Sequence, residues 1–356
     1  MSFGLVVGTR PNFVKAAPIL RALQTASIPC KLIHTGQHFD KALSDSFFQR
    51  LGLPTPDVHL GVSANGRGEQ FGEIVRSLSA VLPSLELTKL IVVGDVTSTA
   101  AAAIAADCCD IAVVHVEAGL RSFDQTMPEE RNRRIVDAIA KELFASEPAG
   151  VTNLLREGHD QNQVFLVGNV MIDTLLRFRD EALAATPWKN HGVEKSNYAV
   201  ATLHRPANVD TEAALRESVA ILGEVARDMP VLFAVHPRTT ARLQRFGITL
   251  PAAVSQLPPQ DYFDFLGLMG GAAVVLTDSG GAQEETTALG VPCLTLRENT
   301  ERPITVEQGT SRLCGRRIGE IRNYLDQIKA NKYQIGSGVP LWDGHAAERI
   351  VAVLAK

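Results

Sequence analysis

The chain has 356 residues, 45% of them hydrophobic, and a formal net charge of -4. That length exceeds what one hydrophobic core usually supports, so two domains are expected, and the charge balance excludes a broad basic surface for nucleic acid or an anionic membrane. The five cysteines (Cys30, Cys108, Cys109, Cys293 and Cys314) form no CxxC pair, which suits reduced thiols and argues against a zinc site.

The N-terminus runs directly into a short apolar segment. It lacks a basic n-region, a small-residue cleavage site or the ~18 apolar residues of a membrane span, so a cytoplasmic protein is expected. Leu5 to Val7, Leu32 to Ile33, Leu90 to Val93, Ile111 to Val114 and Leu143 to Ala145 read as strands of a first sheet. Helices are expected from Phe13, with Pro11 at the start, and over the alanine-rich Thr97 to Ala106. A second series follows: Val164 to Val167, Tyr198 to Thr202, Val231 to Val235, Val274 to Leu276 and Cys293 to Leu296, separated by helices such as Glu212 to Arg227 and Gln283 to Leu289. Short apolar runs alternating with helix-length segments are the βαβ rhythm of an α/β fold, here two Rossmann-like doubly wound domains facing one another across a cleft.

The junction is expected near Gly168 and Asn169, giving domains 1-168 and 169-340, with His345 to Ala355 reading as a last amphipathic helix in the segment 341-356. Thr186 to Ser196 is expected to be a surface loop, and Ser63 to Gln70 and Asn299 to Gly309 mobile loops over the cleft.

Motifs cluster just past the apolar runs, at the carboxyl ends of strands, where open parallel sheets collect ligands. GTRPNFVK sets Arg10 and Lys15 around a strand-to-helix turn whose N-H groups and dipole favour an anion, and it is neither a G-x-G-x-x-G fingerprint nor a Walker loop. TDSGGAQEE offers Ser279, Gly280 and Gly281 as a phosphate cradle at a helix start, with Glu285 one turn on for a ribose; the plainer alternative is a helix capped by Asp278 or Ser279. Asp95 and Glu117 follow adjacent strands, and MPEERNRR brings Glu129, Glu130, Arg131 and Arg133. Carboxylates and arginines in one place can divide into a group that takes a proton and one that gives it. LHRPAN and HPR add His204, Arg205 and His236 in the second half. His38 of HTGQH is a weaker candidate, and Gln70 either caps a helix or lends an amide to a sugar.

GTRPNFVK, TGQH, VVGD, HVEAGLRS, MPEERNR, LHRPAN, TDSGGAQEE and ERPITVEQGT, in this order over nearly the whole chain, resemble the non-hydrolysing UDP-N-acetylglucosamine 2-epimerases. The resemblance implies a glycosyltransferase-B type fold, UDP held mainly by the C-terminal half, a final helix returning to the N-terminal half, a homodimer, and neither metal nor other cofactor. It implies interconversion of UDP-GlcNAc and UDP-ManNAc by elimination and re-addition of UDP, for envelope polysaccharide precursors. By position it places the family's acids on Asp95, Glu117 and Glu129, with Arg133 and His204 beside them. The substrate and UDP set is Arg10, Lys15, Gln70, His236, Ser279, Gly280, Gly281, Glu285 and Arg302.

Some positions depart from the family pattern. Where many bacterial members carry Arg-Glu-Asn after the His-Arg pair, this chain has Pro206, Ala207 and Asn208. Phe39 and Asp40 follow TGQH, and Gly68 and Glu69 precede Gln70. An activating second UDP-sugar site is therefore expected to be absent or altered. The substrate stays open to a related sugar, such as a 2,3-diacetamido uronic acid. A UDP-sugar glycosyltransferase, a non-catalytic UDP-sugar sensor and a hydrolysing relative are the competing readings.

Overall fold

The computed structural model describes residues 2–36, 47–64 and 66–356, with the backbone alone at Arg10. The chain forms two compact units, Met1–Thr174 with Pro340–Lys356, and Leu175–Val339.

In the first unit, among the described residues, seven strands form one sheet: β1 (Phe3–Val7), β2 (Cys30–His34), β3 (Val58–His59), β4 (Lys89–Val93), β5 (Ala112–Val116), β6 (Glu142–Ala145) and β7 (Val164–Leu166). Their order is β3-β2-β1-β4-β5-β6-β7, and every ladder is parallel. Helices cover both faces of such a sheet, so its strands must be apolar throughout rather than alternating. FGLVV of β1 is buried at all five positions. The helix Thr97–Asp107 keeps Ala100, Ala101, Ala102, Ala103, Ala105 and Ala106 fully buried, because a row of methyl groups lets its backbone lie close to its neighbours. The helix Ala346–Leu354 packs on the helix Arg10–Thr25. Its first N-H groups, at Ala346 and Ala347, donate to the Asp173 carboxylate at 3.1 and 2.8 Å, a cap supplied from a distant helix.

The second unit holds β8 (Ala199–Thr202), β9 (Val231–Ala234), β10 (Val254–Leu257), β11 (Val274–Thr277), β12 (Cys293–Thr295) and β13 (Ser311–Leu313). The order is β10-β9-β8-β11-β12-β13, again parallel throughout. One core cluster centres on Ala199, Phe233, Val274 and Leu294 against Leu215, Leu222 and Ile321, and another on Trp188, Tyr198, Val200 and Leu268.

Several expectations are corrected. Val164–Leu166 is not the first strand of a second series: it pairs with β6 and forms an edge of the first sheet. Thr186 to Ser196 is not simply a surface loop, because Pro187–His191 forms a 3-10 helix whose Trp188 is buried against the place where a Gly271 side chain would stand. Asn299 to Gly309 is ordered around buried Glu301 and Arg302 and the short helix Ile304–Glu307, while Ser63 to Gln70 runs into the helix Arg67–Val81, with Asn65 outside the described residues. Strands β3, β10 and β13 went unread because each is short or carries polar residues that blur the apolar signal. Among the described residues no helix is long and apolar enough to cross a membrane.

Candidate functional site

In the first sheet the chain reverses direction of progress between β1 and β4, and the ends of these strands open a crevice of the kind that binds ligands. The turn after β1 starts the helix Arg10–Thr25 through a reciprocal capping box between Thr9 and Asn12. Asn12 also donates to the Val93 carbonyl at 3.0 Å, tying that helix to the end of β4. One turn on, Lys15 is buried and forms an ion pair with Glu117, which is only 3% exposed. Glu117 has φ +72°, a left-handed conformation that a non-glycine residue holds only when its surroundings enforce it. Gly94 faces this pair: a Cβ there would stand 3.1 Å from a Glu117 carboxylate oxygen, so the close approach and φ of +72° both favour glycine.

Arg133, 1% exposed, forks between Asp95 and Glu130 at 2.5 Å each. Glu130 is fully buried and accepts from the Ser122 N-H at 2.8 Å, the Ser122 hydroxyl at 2.9 Å and the Phe123 N-H at 3.2 Å. Glu129, its neighbour, is exposed in the first turn of the helix Pro128–Ile139. The two adjacent glutamates thus have opposite environments, and Arg131 turns outward to the Gln125 carbonyl.

Beneath these acids lies a group that reading by motif overlooked. His115 Nδ1 lies 2.6 Å from Asp137, and its Nε2 lies 3.0 Å from the Gly94 carbonyl. Asp137 also accepts from the Gly119 N-H at 3.1 Å and pairs with Arg121 at 2.7 Å, and Arg121 extends to Glu157. Burial works to raise the Asp137 carboxyl, but His115 and Arg121 together hold it below the usual carboxylate range. Asp137 stands one helical turn beyond Arg133, a spacing that marks a shared helix face and was available as a signal.

In the second sheet the corresponding reversal falls between β8 and β11. Asp278, fully buried after β11, accepts from the backbone N-H groups of His204 and Arg205 and from the Asn208 amide at 3.0 Å. His204 Nδ1 lies 3.1 Å from the same carboxylate. Burial would raise Asp278, yet these partners keep it below the ordinary range. The alternative between Asp278 and Ser279 as helix cap is thereby decided. Ser279 accepts from the Ala282 N-H and caps the helix Gly280–Leu289, which begins earlier than the expected Gln283. Gly281 lies in its first turn, and Glu285, buried beside the Tyr262 hydroxyl, lies further along. The Tyr262 hydroxyl is pushed well up by burial and then by the Glu285 charge.

Arg302 is buried with Glu301 at 2.6 Å and Glu284 at 2.8 Å, and Glu301 is shared with Arg297 at 2.6 Å and Arg205 at 3.3 Å. Against its burial, the three arginines drive the Glu301 carboxyl far down. Arg205, Arg297 and Arg302 thus stand among the carboxylates of Glu301, Glu284 and Asp278, and it is the adjoining N-terminus of the helix Gly280–Leu289 that tips the balance toward an anion. A Cβ on Gly280 would meet Arg302 at 2.5 Å and Glu301 at 2.7 Å, so the buried ion pair would have to shift to admit one. His236 caps the helix Pro237–Arg245 through Nδ1 and lies 6.0 Å from the His204 ring; burial, then the charges of His204 and Arg238, lower its pKa.

The structure therefore brings Lys15, Asp95, Glu117, Glu130 and Arg133 together at one switch point, and His204, Arg205, Ser279, Gly280 and Arg302 around the other. Gln70 sits in the first turn of the helix Arg67–Val81. His38, Phe39 and Asp40 lie outside the described residues, and of Arg10 only the backbone, at the start of its helix, is described.

Two parallel sheets of this order, each with polar groups at its switch point, define an α/β fold of the glycosyltransferase-B type. The UDP-N-acetylglucosamine 2-epimerase family matches residues 21–355. A UDP-N-acetylglucosamine 2-epimerase of Methanocaldococcus jannaschii is 38% identical, covering 99% of both chains. A UDP-2,3-diacetamido-2,3-dideoxy-D-glucuronate 2-epimerase of Pseudomonas aeruginosa is 33% identical, covering 99% of this chain and 98% of its own. The crystal structure of the M. jannaschii UDP-GlcNAc 2-epimerase in complex with UDP-GlcNAc and UDP superposes with a TM-score of 0.91 at 37% identity, covering 100% of this chain and 99% of that one. This chain belongs to the UDP-N-acetylglucosamine 2-epimerase family, and it is an isomerase of that class.

Proposed function

We propose that this protein interconverts UDP-GlcNAc and UDP-ManNAc without hydrolysis. In this reaction the C2-H bond and the C1-O bond to UDP break, and a C1=C2 double bond forms in the bound sugar. UDP then re-adds to C1 while a proton returns to the opposite face of C2. The chemistry calls for an acid or base on each face and for a firmly held UDP anion. The observation that carries the reading is the set of carboxylates held by Lys15 and Arg133 at one switch point, in a chain whose other switch point offers a helix N-terminus beside a buried arginine cluster.

In this reading Asp95, Glu117 and Glu129 move the proton, assisted by Arg133 and His204. Arg10, Ser279, Gly280, Gly281, Glu285 and Arg302 hold UDP, and Lys15, Gln70 and His236 complete the substrate contacts. The domain 1-168 carries the acids, the domain 169-340 carries UDP, and 341-356 returns to the first. The protein works in the cytoplasm as a homodimer, supplying polysaccharide precursors. The expected change at the activator site rests on Pro206 and Ala207, which stand where many bacterial members carry Arg and Glu. Saturation with UDP-GlcNAc is accordingly hyperbolic, and a strongly sigmoidal curve would count against an altered activator site.

The test is proton NMR of the purified protein with UDP-GlcNAc in heavy water. Manno signals and deuterium at C2 are expected. Inversion without deuterium would remove the proton-transfer scheme. Turnover of a 2,3-diacetamido uronic acid in place of UDP-GlcNAc would favour the substrate named for the P. aeruginosa relative.

A further inference from the structure

We propose that His115 and Asp137 form a clamp that positions Asp95 and Glu117, a role resting on the epimerase reading. Both side chains are fully buried, so they act on chemistry only through other groups. One Asp137 oxygen meets His115 Nδ1 at 2.6 Å, and the ring continues through Nε2 to the Gly94 carbonyl at 3.0 Å. The other oxygen takes the Gly119 N-H at 3.1 Å and Arg121 at 2.7 Å. A single carboxylate thus reaches both turns that carry acids: through His115 it holds the turn leading to Asp95, and directly it holds the turn leaving Glu117.

Those turns need holding. Gly94, Glu117 and Gly119 all have positive φ, at 72°, 72° and 80°. The Gly94 N-H donates to the Val116 carbonyl at 3.0 Å, so the residue is bridged to β5 through both its N-H and its C=O. The helix Pro128–Ile139, which bears Asp137, also bears Glu129, Glu130 and Arg133, so the clamp joins three elements at the site. A carbonyl only accepts, so Nε2 carries a hydrogen. Asp137, ionised against Arg121, also only accepts, so Nδ1 carries one too. The ring is a double donor with no tautomer that keeps both bonds.

His115→Asn keeps a donor toward Asp137 but falls short of Gly94, whereas His115→Gln can reach toward the Gly94 carbonyl. With a carboxylate displaced by about 1 Å, kcat in His115→Asn should fall about 100-fold. KM, and UDP affinity by calorimetry, should stay near wild type, and His115→Gln should recover part of the lost kcat. Equal loss in both variants, or UDP affinity falling in step with kcat, overturns the clamp. Nitrogen NMR of the wild-type protein decides the matter even if neither variant folds: hydrogens on both His115 ring nitrogens at neutral pH support it, and a single hydrogen overturns it. Wild-type protein that epimerises no UDP-sugar would remove the epimerase reading, while the ring-nitrogen measurement would still judge the geometry.

Discussion

The two switch points share a topology and differ in chemistry. Strand order 3-2-1-4-5-6 recurs in both units, so each opens its crevice at the same place, after its first and fourth strands. In the first unit the crevice holds three carboxylates on two cations, Glu117 on Lys15 and both Asp95 and Glu130 on Arg133. In the second, Arg205, Arg297 and Arg302 interleave with Glu301, Glu284 and Asp278, and the N-terminus of the helix Gly280–Leu289 adds to the positive side. The fold decides where a ligand meets the sheet. In the proposed function the side chains then divide the work, proton transfer at the first crevice and an anion at the second.

The sharpest break of this comparison is Glu117→Gln. The neutral amide keeps the shape but removes proton transfer, so turnover should fall by about 1,000-fold, within the range for a lost acid or base. UDP affinity measured by calorimetry should change little; a wild-type rate would show that the first switch point is not the chemical one.

A pH effect outside both crevices comes next. His34 Nδ1 accepts from the Gly36 N-H at 2.9 Å and its ring stacks on His59 at 4.8 Å. Burial, then the His59 charge, lowers its pKa from 6.5 to about 4. The folded protein therefore resists protonation that the unfolded chain accepts. The stabilisation is complete above pH 6.5 and is lost as pH falls toward 4, by about 3 kcal/mol from the linkage relation. Chemical denaturation at pH 7.5 and pH 4.5 should show the drop, and His34→Gln should flatten it. If the wild-type and variant proteins weaken in parallel, His34 is not responsible.

Gly280→Ala probes the second crevice. Its Cβ would lie 2.5 Å from Arg302 and 2.7 Å from Glu301, an overpacking that should cost about 1–3 kcal/mol of stability and weaken UDP binding more than it slows turnover. A gain in stability would mean the arginine cluster can relax. The smallest effect is expected for Ser279→Ala, about 1 kcal/mol from the lost helix cap, read as a small fall in melting temperature together with weaker UDP binding. Unchanged UDP affinity in both variants would take UDP away from the second switch point.

Much of this contrast was legible in the residue order. Four to six apolar residues followed by a helix-length segment mark buried parallel strands, and the motifs fall where the chain leaves them. What was misread had local causes. The segment Pro187–His191 carries loop-forming residues, yet its Trp188 is buried, and the charged stretch around Glu301 is an interior ion cluster. Asp278 reads locally as a helix cap, but it spends its carboxylate on the loop after β8, some seventy residues away in sequence.

The order of residues by itself determined that this protein is built of parallel α/β units and that acids, arginines and a Ser-Gly-Gly turn stand at strand ends, because periodicity and turn chemistry act over a few residues. Only the tertiary structure decided which charge answers which. Lys15 and Glu117 are 102 positions apart, Arg133 and Asp95 are 38, and of two neighbouring glutamates one is buried and the other exposed. Ion pairing depends on distance and burial in the folded interior, and no local pattern encodes either.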